Sequence, residues 1–227
     1  NGGTTTGAGI TVDGAVDGAA DNTQSLTLKA GTGGAISFTA NAVVGGTASK
    51  QPATLTVQSS NGATFTGAVS TDTSVVINGT QAGQTVSFAG GLVTPTLTTA
   101  AAGYNVSITG ASNTITNATT FNNTGTVTLG DAASDVLTFT GGLTATAPAV
   151  TLNGEVRTDG QAISLGSSTK AVTLGGTTSI LDTTNNGGTT TGAGITVDGA
   201  VDGAADNTQS LTLKAGTGGA ISFTANA

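Results

Sequence analysis

Along this chain apolar residues alternate with small polar ones, the period of two that marks a β-strand with one buried face. The first unit is Ile10-Thr11-Val12, closed by the acidic turn Asp13-Gly14. Leu26-Thr27-Leu28 and Ile36-Ser37-Phe38 follow, with Gly31, Gly33 and Gly34 between them. After an excursion through Gly45, Gly46 and Pro52, Leu55-Thr56-Val57 leads through Asn61-Gly62 to Thr64-Phe65-Thr66. The series continues at Val86-Ser87-Phe88, Val106-Ser107-Ile108, Val127-Thr128-Leu129, Leu137-Thr138-Phe139, Val150-Thr151-Leu152, Ile163-Ser164-Leu165 and Val172-Thr173-Leu174. Strand starts fall about 9 to 13 residues apart, and Gly, Asn or Asp occupies nearly every gap, as turns with positive φ require. Helical periodicity is absent.

Superimposed on this short period is a long one. Residues 1–42 and residues 186–227 are identical, at an offset of 185. The chain therefore reads as one full tandem repeat, 1–185, and the opening of the next, 186–227, cut from a longer array. Two short strands with two turns occupy about 20 residues, close to one rung of a parallel β-helix, so the repeat is expected to hold about nine rungs. At the ~4.8 Å strand spacing it would run on the order of 45 Å. The alternative is a string of immunoglobulin-like β-sandwiches, two per repeat. The absence of Trp, the single Tyr104 and the narrow, regular spacing of near-equivalent strands favour the all-β solenoid.

Composition narrows the function classes. Charged residues are 7% of the chain, against about 25% in a typical domain. Hydrophobic residues, many of them β-branched and recurring in order, are 36%, enough to exclude a disordered chain. The net charge of −7 disfavours nucleic acid, whose phosphates need Lys and Arg clusters, and anionic lipid surfaces. No apolar run approaches the roughly 18–20 residues that span a bilayer. With no Cys and no His, disulfide frameworks and thiolate or imidazole metal sites are excluded.

The stretches Gln24-Ser25-Leu26-Thr27-Leu28-Lys29-Ala30-Gly31 and Ala53-Thr54-Leu55-Thr56-Val57-Gln58-Ser59-Ser60-Asn61-Gly62, with similar phrases at residues 149–156 and 161–166, resemble the β-strand repeats of large bacterial surface proteins of the filamentous-haemagglutinin and autotransporter-adhesin type. The resemblance covers most of the chain and is compositional, so it bears on architecture more than on function. It implies a right-handed parallel β-helix, secreted to the cell surface and used as a fibre, stalk or adhesin. An exact long repeat departs from such proteins, whose rungs drift, and suggests a length-setting spacer or a filament continued head to tail. The partner expected first is therefore the chain itself, through adjacent repeats. A glycan- or surface-binding module is the alternative, and its mark would be clustered exposed aromatics.

Few residues offer chemistry. Asp13, Asp17 and Asp21 stand four apart in a Gly-rich stretch and return as Asp198, Asp202 and Asp206. Such carboxylates can hold Ca2+, which takes six to eight oxygens. The stretch lacks the Gly-Gly-x-Gly-x-Asp nonapeptide and the EF-hand spacing, so an exposed acidic turn is the preferred reading and no cofactor is expected. Asp131 and Asp135 read as a solvated turn. Glu155, Arg157 and Asp159 share one face by alternation, but with no His and few other charges no catalytic constellation forms. Thr-x-Thr pairs such as Thr54/Thr56, Thr64/Thr66 and Thr126/Thr128 suggest an ice-binding ladder only if one pair falls on one face of every rung. Their wandering spacing argues for β-propensity alone.

Overall fold

The computed structural model describes residues 6–224. Within them every pairing between strands is parallel, and no helix forms. The chain winds into nine stacked coils, each contributing one strand or bridge to each of three faces. Face 1 runs from Ile10–Val12 through Ile36–Phe38, Ala63–Phe65, Thr85–Phe88, Asn105–Ile108 and Thr126–Leu129 to Val201–Gly203. Face 2 begins with the bridges Val16↔Val44 and Val44↔Val69 and ends at Ser210–Lys214. Face 3 begins at Ser25–Lys29 and ends at Ile221–Thr224. The strands Ala149–Arg157 and Val172–Asp182 each serve faces 1 and 2, with a bulge between Leu152 and Gly154 where the register shifts at the corner. The protein is a parallel β-solenoid. The antiparallel facing sheets of a sandwich do not form.

Alternation dictates what stacks on what. On face 1, Phe38, Phe65, Phe88, Ile108, Leu129 and Leu152 form one inward column, while Ser37, Thr64, Ser87, Ser107, Thr128 and Thr151 form the outward one. The Phe38 and Phe65 rings lie 4.9 Å apart, and Phe65 stacks on Phe88 at 5.2 Å. Each fully buried side chain of this size contributes about 1.5–3 kcal/mol by leaving water, and rings so placed add to that. Corners are made polar and are satisfied between coils. Asn113 accepts the Leu92 amide at 2.9 Å and donates to Gly110 O at 2.6 Å. The Thr71 and Thr94 hydroxyls pair at 2.8 Å, and Ser60 meets Thr80 at 3.0 Å. Gly154, with φ +90, turns Ala149–Arg157 from face 1 to face 2, where a Cβ would stand 2.6 Å from Asp135 O.

The coils are longer than the pattern of alternation suggested. Ile10 stacks under Ile36, 26 residues on, and Val172 under Val201, 29 residues on. Only mid-chain coils, such as Val86 to Val106, hold the expected 20. Each coil carries three short strands instead of two, because pieces as brief as Val69–Ser70 form the middle face. Nine coils therefore span the whole described chain. The 185-residue offset, from Ile10 on face 1 of the first coil to Ile195 on face 3 of the eighth, takes seven and two-thirds.

Candidate functional site

The three carboxylates of residues 13–21 do not converge. Each meets a different residue of the coil above. Asp13 accepts from the Thr39 hydroxyl. Asp17 accepts from the Thr47 hydroxyl at 2.5 Å and the Thr47 amide at 3.3 Å, and these bonds hold its pKa below the ordinary 3.8. Asp21 accepts the Gln51 amide at 3.2 Å. Turned to satisfy both neighbours, the Gln51 side-chain amide also donates to Asp21 Oδ1 at 3.0 Å and Asp72 Oδ1 at 3.2 Å. Burial, and then Asp21 itself, push the pKa of Asp72 up. The acidic stretch thus ties coil to coil, with each carboxylate accepting from backbone or hydroxyl donors. Among the described residues no group of three or more potential ligating side chains comes together to hold a metal. In the second copy Asp202 and Asp206 line an open cleft with Leu174, Gly203, Ala205 and Asn207.

Asp131 and Asp135 are not simply solvated. Asp135 is buried, and its Oδ2 accepts the amides of Asp131 at 2.8 Å and Ala132 at 3.0 Å. Glu155 and Arg157 pair at 2.5 Å on the outward side of face 2, whereas Asp159 leaves the strand and accepts from Thr189. Directly above Arg157 in register comes Asp182, and above that Lys214. Sequence reasoning passed over Asp182. It is fully buried, because residues 183–186 fold back over it. Its carboxylate accepts Thr184 N and Oγ1, both at 2.6 Å, and Asn186 N at 3.1 Å, with Lys214 Nζ at 3.6 Å. Burial alone would raise its pKa; the Thr184 and Asn186 donors and the Lys214 charge outweigh it and hold the pKa below 3.8. The available signal was a lone Asp before Thr183-Thr184-Asn185-Asn186, an Asx-turn sequence whose two Asn take φ of 51 and 55.

The aromatic side chains offer no lateral patch. Tyr104 is buried, donates to Ile77 O at 3.1 Å, and its pKa is pushed up to about 12 by burial. Thr54 and Thr56 lie on face 3, but Thr64 lies on face 1, so the Thr pairs do not repeat on one face. The two identical segments differ in burial according to the coils that flank them. Ile195 and Val197 are buried between Ile163 and Leu165 below and Ile221 and Phe223 above, while their twins Ile10 and Val12 are only half-buried. Conversely Ile36 and Phe38 are buried, while Ile221 and Phe223 are 48% and 47% exposed.

Fold and side chains together define an unbranched parallel β-solenoid with a sparsely charged, Ser/Thr-rich exterior. No protein-family model matches the chain, and no similar curated protein or solved structure was found in the comparisons made.

Proposed function

We propose that this chain is a length of an extracellular structural fibre or adhesin stalk, built from long tandem solenoid repeats and continued head to tail. The observation that carries this reading is the unbroken ladder across the repeat boundary. Ile163 and Leu165 of the first repeat pair with Ile195 and Val197 of the second, and Leu181 pairs with Leu213. The second copy is therefore a coaxial continuation of the first, sharing its core. Stability in such an array is a sum of nearest-neighbour terms, so length is added without a new core having to nucleate. The resemblance to repeats of bacterial surface proteins supports the setting outside the cell. The rod acts by reach and stiffness, with no catalytic step and no cofactor.

Electron microscopy of the native array tests this. Thin, uniform filaments are expected, advancing about 37 Å per repeat from seven and two-thirds coils at ~4.8 Å each. A string of separate beads would overturn the reading. Calorimetric titration with Ca2+ is expected to give no saturable heat at millimolar concentrations, because Asp17 and Asp21 already accept from Thr47 and Gln51. A stoichiometric binding isotherm lost on Asp17→Asn would refute it.

A further inference from the structure

A backbone amide nitrogen can attack the side chain of the asparagine before it when the residue that bears it is glycine, because no Cβ holds the two apart. Asn-Gly occurs at Asn61, Asn78, Asn153 and Asn186, and at Asn1, which lies outside the described residues. The reacting pair is the same at each, so what separates these sites is the fold around them.

The reaction needs a carboxamide free to swing, a glycine N–H without an acceptor, and access for water. At Asn186 the second condition fails, since Gly187 N donates to Thr184 O and to Thr184 Oγ1, both at 3.1 Å. At Asn153 the first and third fail. Gly154 is buried within Ala149–Arg157, and the Asn153 Oδ1 is buried against Gly176, where a Cβ would stand 2.0 Å from it. Asn61 is half-buried, and Gly62 is buried beneath the next coil, where a Cβ would meet Thr85 O at 3.3 Å. Asn78 meets all three conditions. It is exposed just past the strand Ser74–Ile77, with its own N–H fixed on Val57 O at 2.9 Å. Among the described residues neither its carboxamide nor Gly79 N has a hydrogen-bond partner.

We propose that Asn78-Gly79 is a site of spontaneous covalent modification, at which the coil converts its own asparagine to aspartate and isoaspartate. Gly79 N attacks Asn78 Cγ, its proton passes to water, the Cγ–Nδ2 bond breaks and ammonia leaves, closing a succinimide ring. Water then opens the ring at either carbonyl. One product is aspartate; the other is isoaspartate, whose backbone is longer by a methylene. No reactant beyond water is consumed.

Position decides what the change does. Gly79 O accepts Ser60 N at 3.0 Å, and Ser60 O accepts Gln81 N at 3.0 Å. The Ser60 and Thr80 hydroxyls, both buried, pair at 3.0 Å, and a Cβ on Gly79 would stand 2.3 Å from Gln58 O. A lengthened backbone at residue 78 displaces this crossing of the second and third coils and leaves its buried polar groups unpaired. It also places a carboxylate in residues 73–130, a stretch without a single charged side chain. The rod thus carries a mark of its own age that loosens one defined joint.

The test incubates the full chain in warm, mildly alkaline buffer and follows each Asn-Gly by peptide mass spectrometry, with isoaspartate resolved by chromatography. Conversion at Asn78 is expected about tenfold or more faster than at Asn186, whose glycine amide has two hydrogen bonds to give up first. It is likewise expected to outrun Asn61 and Asn153, and in urea the rates are expected to converge. Amide exchange of the aged chain is expected to lose protection at Ser60 and Gln81 and to keep it over residues 150–156. The Asn78→Gln protein, aged alongside, keeps both. Conversion at Asn153 or Asn186 as fast as at Asn78 in the folded chain would overturn the proposal, as would unchanged protection at Ser60 and Gln81 once Asn78 has converted.

Discussion

Replacing Phe38 by alanine is expected to cost about 3–5 kcal/mol, whereas the same change at Phe223, its twin in the identical segment, costs less than about 1 kcal/mol. Phe38 is wholly buried and packs at a tilt against Phe65, ring centroids 4.9 Å apart, so its loss leaves a cavity between coils and removes a ring contact. Phe223 is 47% exposed on the last strand, and its removal opens no cavity. Sequence context within the segment is the same, so any difference arises from the neighbouring coil alone. In a stacked solenoid the loss is local, and amide exchange around residues 36–66 is the measurement that resolves it. Equal effects at the two positions would contradict the stacking described above.

Asp182→Ala is expected to destabilise the boundary between repeats by about 1–3 kcal/mol, because it leaves the Thr184 and Asn186 donors without their acceptor, while Lys214, 40% exposed, can turn to water. The effect depends on pH with a definite sign. The folded pKa lies below the ordinary 3.8, so the carboxylate's stabilisation is fully present above that value and is lost as pH falls through the folded pKa. Acid titration followed by exchange at residues 195–198 and 210–214 should show protection falling below about pH 4 in the parent chain. The Asp182→Ala protein lacks that step. A parent chain whose boundary protection is flat between pH 5 and 2 would show that the carboxylate does not act this way.

Most of the architecture can be read from the residues, because period-two alternation has one physical outcome when each strand is short, neutral and bounded by Gly or Asn. Ile10-Thr11-Val12 and Val86-Ser87-Phe88 became strands with the expected residues inward. The start of face 2 was not legible. Val16 and Val44 contribute single bridges and Val69–Ser70 only two residues, too few for any period to register. The acidic stretch was legible as turns, but its partners were not. Thr39, Thr47 and Gln51 reach Asp13, Asp17 and Asp21 through the winding of the coil, at separations of 26 to 30 residues that no local pattern encodes. Asp182 was hidden for a related reason. Its burial depends on the chain doubling back over it, and its cation comes from the next repeat.

The offset of seven and two-thirds coils has a geometric consequence. Carried onward, each 185-residue unit would arrive turned by a third of a revolution, giving the array a threefold screw that closes after 23 coils, roughly 110 Å. A side chain such as the half-exposed Val93 would then point successively along three azimuths. A filament of this kind has no flat back or front: it resists bending alike in all directions, and any sideways contact it makes would knit a three-dimensional mesh in preference to a ribbon.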